Sequence, residues 1–335
     1  MSTILEKLFS LEGRTAVVTG GTRGIGQAMA VSLAEAGSDI ILVQRDESNT
    51  ETKTQVEALG KKAIIYTADL SNQEEVESLS GRILADGHDV SILVTCAGIQ
   101  RRHPAHKFPM GDWDEVLQVN LKTVWTLCRD FGAYMLTRSP NSVNGHRGSI
   151  VNVASLVSFQ GGITVPAYAA AKGGIAQLTK ALSNEWASQG VNVNAIAPGY
   201  VATDMNEALI NNPERAASIL ARIPAGRWGT PDDFKGATYR RDLQTKALLM
   251  GRHPEQGEPH VLMCLANNGT CFPRLATGLT DARFQIAVEP GRTPLITHGV
   301  MWRGGSGIFR SSDGVMSCVH AHQPKVGYAV TSRAK

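Results

Sequence analysis

A short apolar run, Thr15-Ala-Val-Val-Thr19, leads straight into Gly20-Gly-Thr-Arg-Gly-Ile-Gly26, and Gln27 to Ala36 then reads as a helix. Strand, glycine turn and helix in that order constrain this chain more than any other stretch. A strand apolar at nearly every position is buried on both faces, which belongs to a parallel sheet covered by helices. Glycines in the turn let the backbone approach a ligand, and the helix N-terminus presents N–H groups to an anion such as a pyrophosphate. The spacing is G-x-x-x-G-x-G rather than G-x-G-x-x-G, so the turn alone leaves a purely structural role open.

The same alternation continues. Ile40–Val43, Ala63–Ala68, Ser91–Thr95, Gly148–Ala154 and Val191–Ala197 read as further strands, with helical stretches over Glu74–Leu84 and Asp112–Tyr134. This pattern predicts an α/β fold, a doubly wound parallel sheet of the Rossmann-like kind, whose ligands bind at the carboxyl ends of the strands. Those ends carry Gln44-Arg45-Asp46, Asp69-Leu70, Cys96-Ala97-Gly98, Ser155 and Pro198-Gly199. An arginine at the second tip favours a ribose 2′-phosphate and an acid favours the free hydroxyl. Arg45 therefore leans the reading toward NADP, while Asp46 keeps NAD open.

Thirteen residues beyond Ser155 comes Tyr168-Ala-Ala-Ala-Lys172, at the start of an Ala- and Leu-rich helical stretch. Positions four apart share a helix face, roughly 5–6 Å between Cβ atoms. An ammonium that close is expected to lower the phenol from its ordinary value of about 10 and make it a proton carrier near neutral pH.

Composition narrows the function classes. With 335 residues, 42% hydrophobic and 19% charged, the chain is long enough for a full core and is not disordered. A net charge of +3 suggests no nucleic-acid partner. Five cysteines with no C-x-x-C pair fit a reducing compartment, and neither a secretory leader nor a long apolar run is visible. A cytoplasmic, membrane-free protein is expected. Cys264, Cys271, Cys318, His320 and His322 match no zinc spacing, so no metal site is expected.

Taken together, Gly20, Gly24 and Gly26, Asp69, Ala97-Gly98, Asn120, Ser155, Tyr168, Lys172, Pro198-Gly199 and Thr203 resemble the short-chain dehydrogenase/reductase family over roughly residues 10–237. Further stretches are similar to its sugar-acid branch, which includes 2-deoxy-D-gluconate 3-dehydrogenase and 2-dehydro-3-deoxy-D-gluconate 5-dehydrogenase. They are Ala97-Gly-Ile-Gln-Arg-Arg102, Ser158-Phe-Gln-Gly-Gly162, Asn184-Glu-Trp186, Asn194–Tyr200 and Arg222–Gly229. The resemblance implies an oxidoreductase that moves a hydride between NAD(P) and a secondary alcohol or ketone. It implies Tyr168 as acid/base, Lys172 to tune it and hold the nicotinamide ribose, Ser155 on the substrate oxygen and Asn120 to place a water. The cofactor would meet Gly20, Thr22, Arg23, Gly24, Ile25, Gly26, Arg45, Asp69, Leu70, Ala97, Gly98, Pro198, Gly199, Val201 and Thr203, besides Tyr168 and Lys172. Arg101 or Arg102 could clamp a substrate carboxylate and Gln160 could read a hydroxyl. A homodimer or homotetramer through the Asn120 and Tyr168 helices is implied as well.

The chain departs from the family pattern in three places. Thr95-Cys96 stands where the family has two asparagines, the first of which ties neighbouring strands, and Ser91 stands where it favours an acid. After Ala237 the usual helix, seventh strand and short ending are absent. The irregular 97 residues of 239–335 carry a net charge of +6, against −3 for the first 238. They read as an atypical, poorly ordered tail to a 10–238 domain, leaving the flank of the sixth strand bare. That departure motivates an alternative: an inactive dinucleotide-binding protein.

Overall fold

The computed structural model describes residues 9–142 and 145–239, together with the backbone of six short strands between 247 and 319. Six strands form the expected parallel sheet: β1 (Thr15–Thr19), β2 (Asp39–Gln44), β3 (Ala63–Thr67), β4 (Val90–Thr95), β5 (Gly148–Val153) and β6 (Val191–Ala197). Their order is β3-β2-β1-β4-β5-β6. Side chains alternate between two cores. Val17, Ile41, Leu93 and Ile150 pack with Leu127, Phe131 and Ile175. Val18, Leu42, Val94 and Val151 pack with Met29 and Leu33 on the other face. Burial on both sides is why these strands read as continuous apolar runs. The strand order reverses between β1 and β4, and that switch point opens a crevice at the carboxyl ends.

The helices are α1 (Gly24–Glu35), α2 (Glu51–Ala58), α3 (Gln73–Ala85), α4 (Met110–Leu117), α5 (Thr123–Thr137), α6 (Val157–Gln160), α7 (Pro166–Trp186), α8 (Glu207–Ile210), α9 (Pro213–Leu220) and α10 (Lys235–Tyr239). Two of them differ from the sequence reading. Helix α2 buries only Thr52 and Val56 and shows no apolar stripe to read. It is held to the glycine turn because Thr52 Oγ1 donates to the Gly21 carbonyl at 2.8 Å. The single helix expected over Asp112–Tyr134 is two, joined by a π-helical turn at Gln118–Lys122. Such turns gather at functional sites, and this one contains Asn120.

Beyond Tyr239, Leu262–Cys264 runs antiparallel to β6, with Leu262 opposite Ala197 and Met263 opposite Ile196. Ala247–Leu249 pairs with its other edge. The flank of β6, expected bare, is paired at those two residues. The chain divides into two compact units, 1–275 and 276–335, and the second contains an antiparallel pair, Gly307–Arg310 with Met316–Val319. The expectation of a poorly ordered tail otherwise concerns residues outside the described set.

Thr95 takes over the strand tie expected of the family asparagine. Its Oγ1 donates to Asn152 Oδ1 on β5 at 2.7 Å, and Asn152 Nδ2 donates to Thr179 Oγ1 on α7 at 3.0 Å. The Cys128 thiol of α5 donates to the same Asn152 oxygen at 3.3 Å. Every member is buried. Ser91, in contrast, is fully buried with no partner for its hydroxyl. Thr95→Val removes the strongest donor to Asn152 and is expected to cost about 1–3 kcal/mol. Urea unfolding should show this, with Thr95→Ser close to wild type. A midpoint unchanged in Thr95→Val would show that the tie contributes nothing.

Candidate active site

The crevice is a cleft of about 1550 Å³ along the carboxyl ends of the strands. Every cofactor-binding residue expected from the sequence, from Gly20 to Thr203, lines it, as do Ser155, Arg101 and Gln160. Asn120 does not line it. It lies fully buried beneath, donating from Nδ2 to the carbonyls of Ile99 and Val116, both at 2.9 Å.

The glycine turn is packed against the tip of β4. Gly20 has φ +67°, and a Cβ there would lie 2.6 Å from Ala97 Cα. A Cβ on Gly26 would lie 2.1 Å from the Gly20 carbonyl oxygen. Only glycine keeps this loop low enough for another molecule to rest on it. Arg23 stands at the N-cap of α1 and makes no capping bond, so the N–H groups of the first turn face the cleft uncapped by any side chain. These features fit a dinucleotide pyrophosphate.

At the tip of β2, Gln44 is buried, and its Nε2 donates to the carbonyls of Asp46 (2.6 Å) and Asn49 (3.0 Å). Its Oε1 has no partner. The Asp46 carboxylate accepts from Ser48 N–H at 2.8 Å and is held below its usual value by the Ser48 hydroxyl and backbone. The acid that kept NAD open is thus engaged in its own loop. Asp69 is likewise engaged, accepting from the N–H and hydroxyl of Ser71, and Arg45 lies near enough to help lower it.

Serine, tyrosine and lysine meet where β5 ends. Ser155 is buried at the end of β5, its Oγ accepting from Val157 N–H at 3.4 Å, and it lines the cleft together with Tyr168. Ser158 locks the serine loop to α7 by donating from Oγ to the Lys172 carbonyl at 2.7 Å. Lys172 is 2% exposed, and its Nζ donates to the Val153 carbonyl at 2.6 Å, 5.7 Å from the centre of the Tyr168 ring.

Electrostatics correct one expectation. Tyr168 is half-buried, and burial pushes its phenol up to about 12, against the lowering pull of Ser155 and Arg102. The drop expected from Lys172 is absent because burial presses on the lysine too, bringing it down to about 8. Cys96, beside Gly26 and lining the cleft, is raised to about 11 by burial.

The two arginines beyond β4 have different fates. Arg101 is spent on Glu115, Nη2 to Oε2 at 2.8 Å, with Asp112 4.0 Å away. That ion pair takes up the guanidinium that was a candidate for the substrate. Among the described residues, Arg102 donates only to the neutral Gln100 Oε1, at 2.8 Å. Gln160 is exposed on the cleft wall. Four residues on, Thr164 has φ +65°, and its carbonyl accepts from His103 N–H at 3.0 Å, joining the loop after α6 to the loop after β4. A non-glycine residue held in that region is strained backbone at the mouth of a site.

Sequence reasoning missed the segment after Thr203. Met205, Leu209, Arg215 and Ile219 all line the cleft. The signal for α9 was there: Asn212 caps it by accepting from Arg215 N–H at 3.0 Å, with Pro213 at the first position.

Residues 14–214 match the model of the short chain dehydrogenase family. The chain belongs to that family. Among relatives of this short-chain dehydrogenase, a 2-dehydro-3-deoxy-D-gluconate 5-dehydrogenase from Pseudoalteromonas atlantica is 49% identical over 235 residues, covering 70% of this chain and 89% of the relative. One of the same name from Bacillus subtilis is 43% identical over 258 residues, covering 77% and 95%. A solved gluconate 5-dehydrogenase from Burkholderia cenocepacia, in complex with NADP and tartrate, superposes with a TM-score of 0.65 at 34% identity, covering 71% and 90%. As a short-chain dehydrogenase the chain is an NAD(P)-dependent oxidoreductase acting on CH–OH groups. Among the described residues no helix is long and apolar enough to cross a membrane, and no three side chains could hold a metal. The side chains of Cys264, Cys271, Cys318, His320 and His322 lie outside the described set.

Proposed function

We propose that the protein interconverts a secondary alcohol and a ketone on a six-carbon sugar acid of the 2-dehydro-3-deoxy-gluconate or gluconate type, with NADP as its cofactor. What carries the reading is the meeting of Ser155, Tyr168 and Lys172 in one cleft with the glycine turn, in a chain 49% identical to a sugar-acid dehydrogenase. Arg45 at the tip of β2, and the engagement of Asp46 by Ser48, support NADP.

When bound, NADP supplies hydride transfer to or from the substrate carbon. Tyr168 passes the hydroxyl proton. Held near 12, its phenol is protonated throughout the neutral range and serves directly as the acid of ketone reduction. Alcohol oxidation needs its base form, so that direction gains as pH rises. Ser155, which lines the cleft with the tyrosine, holds the substrate oxygen as charge develops on it. The Lys172 ammonium holds the nicotinamide ribose. Asn120 spends its side chain on Ile99 and Val116, so its contribution to a water beside Lys172 falls to its backbone in the π-helical turn. The protein works in the cytoplasm as a dimer or tetramer through the Asn120 and Tyr168 helices, where Trp125 is 40% exposed.

Initial rates with gluconate, 2-dehydro-3-deoxy-gluconate and their keto products, each with NADP(H) and NAD(H), test the reading. Turnover of none of them, with NADPH bound, would replace it with the inactive dinucleotide-binding alternative. The role given to Lys172 sets a pH dependence. Burial lowers its folded value to about 8, so the ammonium is lost as pH rises through 8. NADPH affinity should therefore hold up to pH 8 and then fall by at most about tenfold per pH unit. Nicotinamide fluorescence titrations from pH 7 to 10 measure this, and Lys172→Met should bind weakly without the slope. A flat wild-type profile would remove the ammonium from cofactor binding.

A further inference from the structure

We propose that Arg215, on the first turn of α9, joins Arg102 in a two-cation seat for the substrate carboxylate, and that Arg215 decides the preference for acids over neutral polyols. The inference rests on the sugar-acid reading above.

The two guanidiniums come from segments more than a hundred residues apart, the loop after β4 and the helix after β6, and line the cleft that holds Tyr168. Several other arginines in this cleft are already occupied. Arg101 pairs with Glu115 at 2.8 Å, Arg23 pairs with Asp204 at 3.2 Å, and Arg222 lies 5.8 Å from the centre of the Tyr200 ring. Arg45 stands at the adenosine end, near Asp69. Arg102 has only the neutral Gln100 amide, and Arg215 has no acidic partner among the described residues.

The pair also repel one another. Burial disfavours the Arg102 charge, and the charge of Arg215 disfavours it further. Arg102, Arg215 and Tyr168 line the same cleft, and Arg102 and Tyr168 influence each other's ionisation. Two unneutralised guanidiniums in a partly enclosed cleft are relieved by an anion, and their planar donor forks suit a carboxylate. Asn212 and Pro213 fix the backbone of Arg215 while its side chain stays exposed, so it can be changed without disturbing a core.

The test uses the full chain with saturating NADP and initial rates on two substrates of equal carbon number, an aldonate and the corresponding neutral alditol. Arg215→Gln should raise KM for the acid about 10- to 100-fold, the effect of losing one charged contact, with kcat nearly unchanged. KM for the alditol and the affinity for NADPH should not move. Arg215→Lys should recover part of the loss, Arg215→Glu should exceed it, and Arg102→Gln combined with Arg215→Gln should cost less than the product of the single effects. An acid KM within twofold of wild type in Arg215→Gln, or equal losses on acid and alditol, would overturn the seat while leaving the sugar-acid reading intact. A wild-type enzyme that turns over alditols but not acids would overturn that reading, and the seat with it.

Discussion

Tyr168→Phe is expected to lower kcat by about 10²- to 10⁴-fold, the usual worth of a positioned proton donor, while NADPH binds as in wild type. The substitution keeps the ring that packs near Lys172 and removes only the hydroxyl. Binding groups on the glycine turn and at the strand tips are untouched. The ratio of oxidation to reduction should also lose its rise with pH, because the group whose base form drives oxidation is gone. Steady-state rates in both directions between pH 6 and 10, with a cofactor titration beside them, measure all three. Retention of more than a tenth of kcat would mean that another group carries the proton.

Gly26→Ala is expected to damage fold and cofactor binding together. The new methyl would sit 2.1 Å from the Gly20 carbonyl oxygen and 2.8 Å from its carbon, backbone atoms with no rotamer to yield. The turn must open, at a cost of about 2–4 kcal/mol, and the first N–H groups of α1 shift with it. NADPH affinity should fall at least about tenfold. Gly81→Ala on α3 is the control, because its methyl meets nothing within 4 Å. At an exposed helical position that change should stabilise the protein by roughly 0.5–1 kcal/mol. Differential scanning fluorimetry with and without NADPH separates the two variants. Equal melting temperatures would contradict the packing of the glycine turn.

The sheet was legible because strands buried on both faces announce themselves as apolar runs, and the boundaries read from the runs differ from the observed ones by a residue or so. The glycine turn and the Ser155, Tyr168 and Lys172 set were legible because each needs a particular residue type at a particular spacing. What escaped depends on partners remote in sequence. That Arg101 pairs with an acid and Arg102 with a neutral amide was invisible because it turns on Glu115, which reaches Arg101 only once α4 has docked. Spacing puts Lys172 near Tyr168, but the direction in which each is shifted follows from burial that no local pattern records. The cleft wall from Met205 to Ile219 carries no chemical motif; its helices are short, and among the residues of α9 only Ile219 is buried. Thr95 shows the converse, since a different residue type does the strand-tying work by finding Asn152.

The strand order has a bearing on how the chain is made. Residues 15–95 supply the four strands β3-β2-β1-β4, and the next neighbour of β4 is β5, which begins at Gly148. All six residues of β4 are buried in the finished sheet. During synthesis its open edge waits for some fifty residues to emerge, roughly 3–10 s at ordinary elongation rates. Throughout that interval the nascent domain presents an unpaired apolar strand, the kind of surface that chaperones capture and that pairs with neighbouring chains on a polysome. The strands that carry the glycine turn and the tips of β2 and β4 are therefore synthesised before the strand that delivers Ser155.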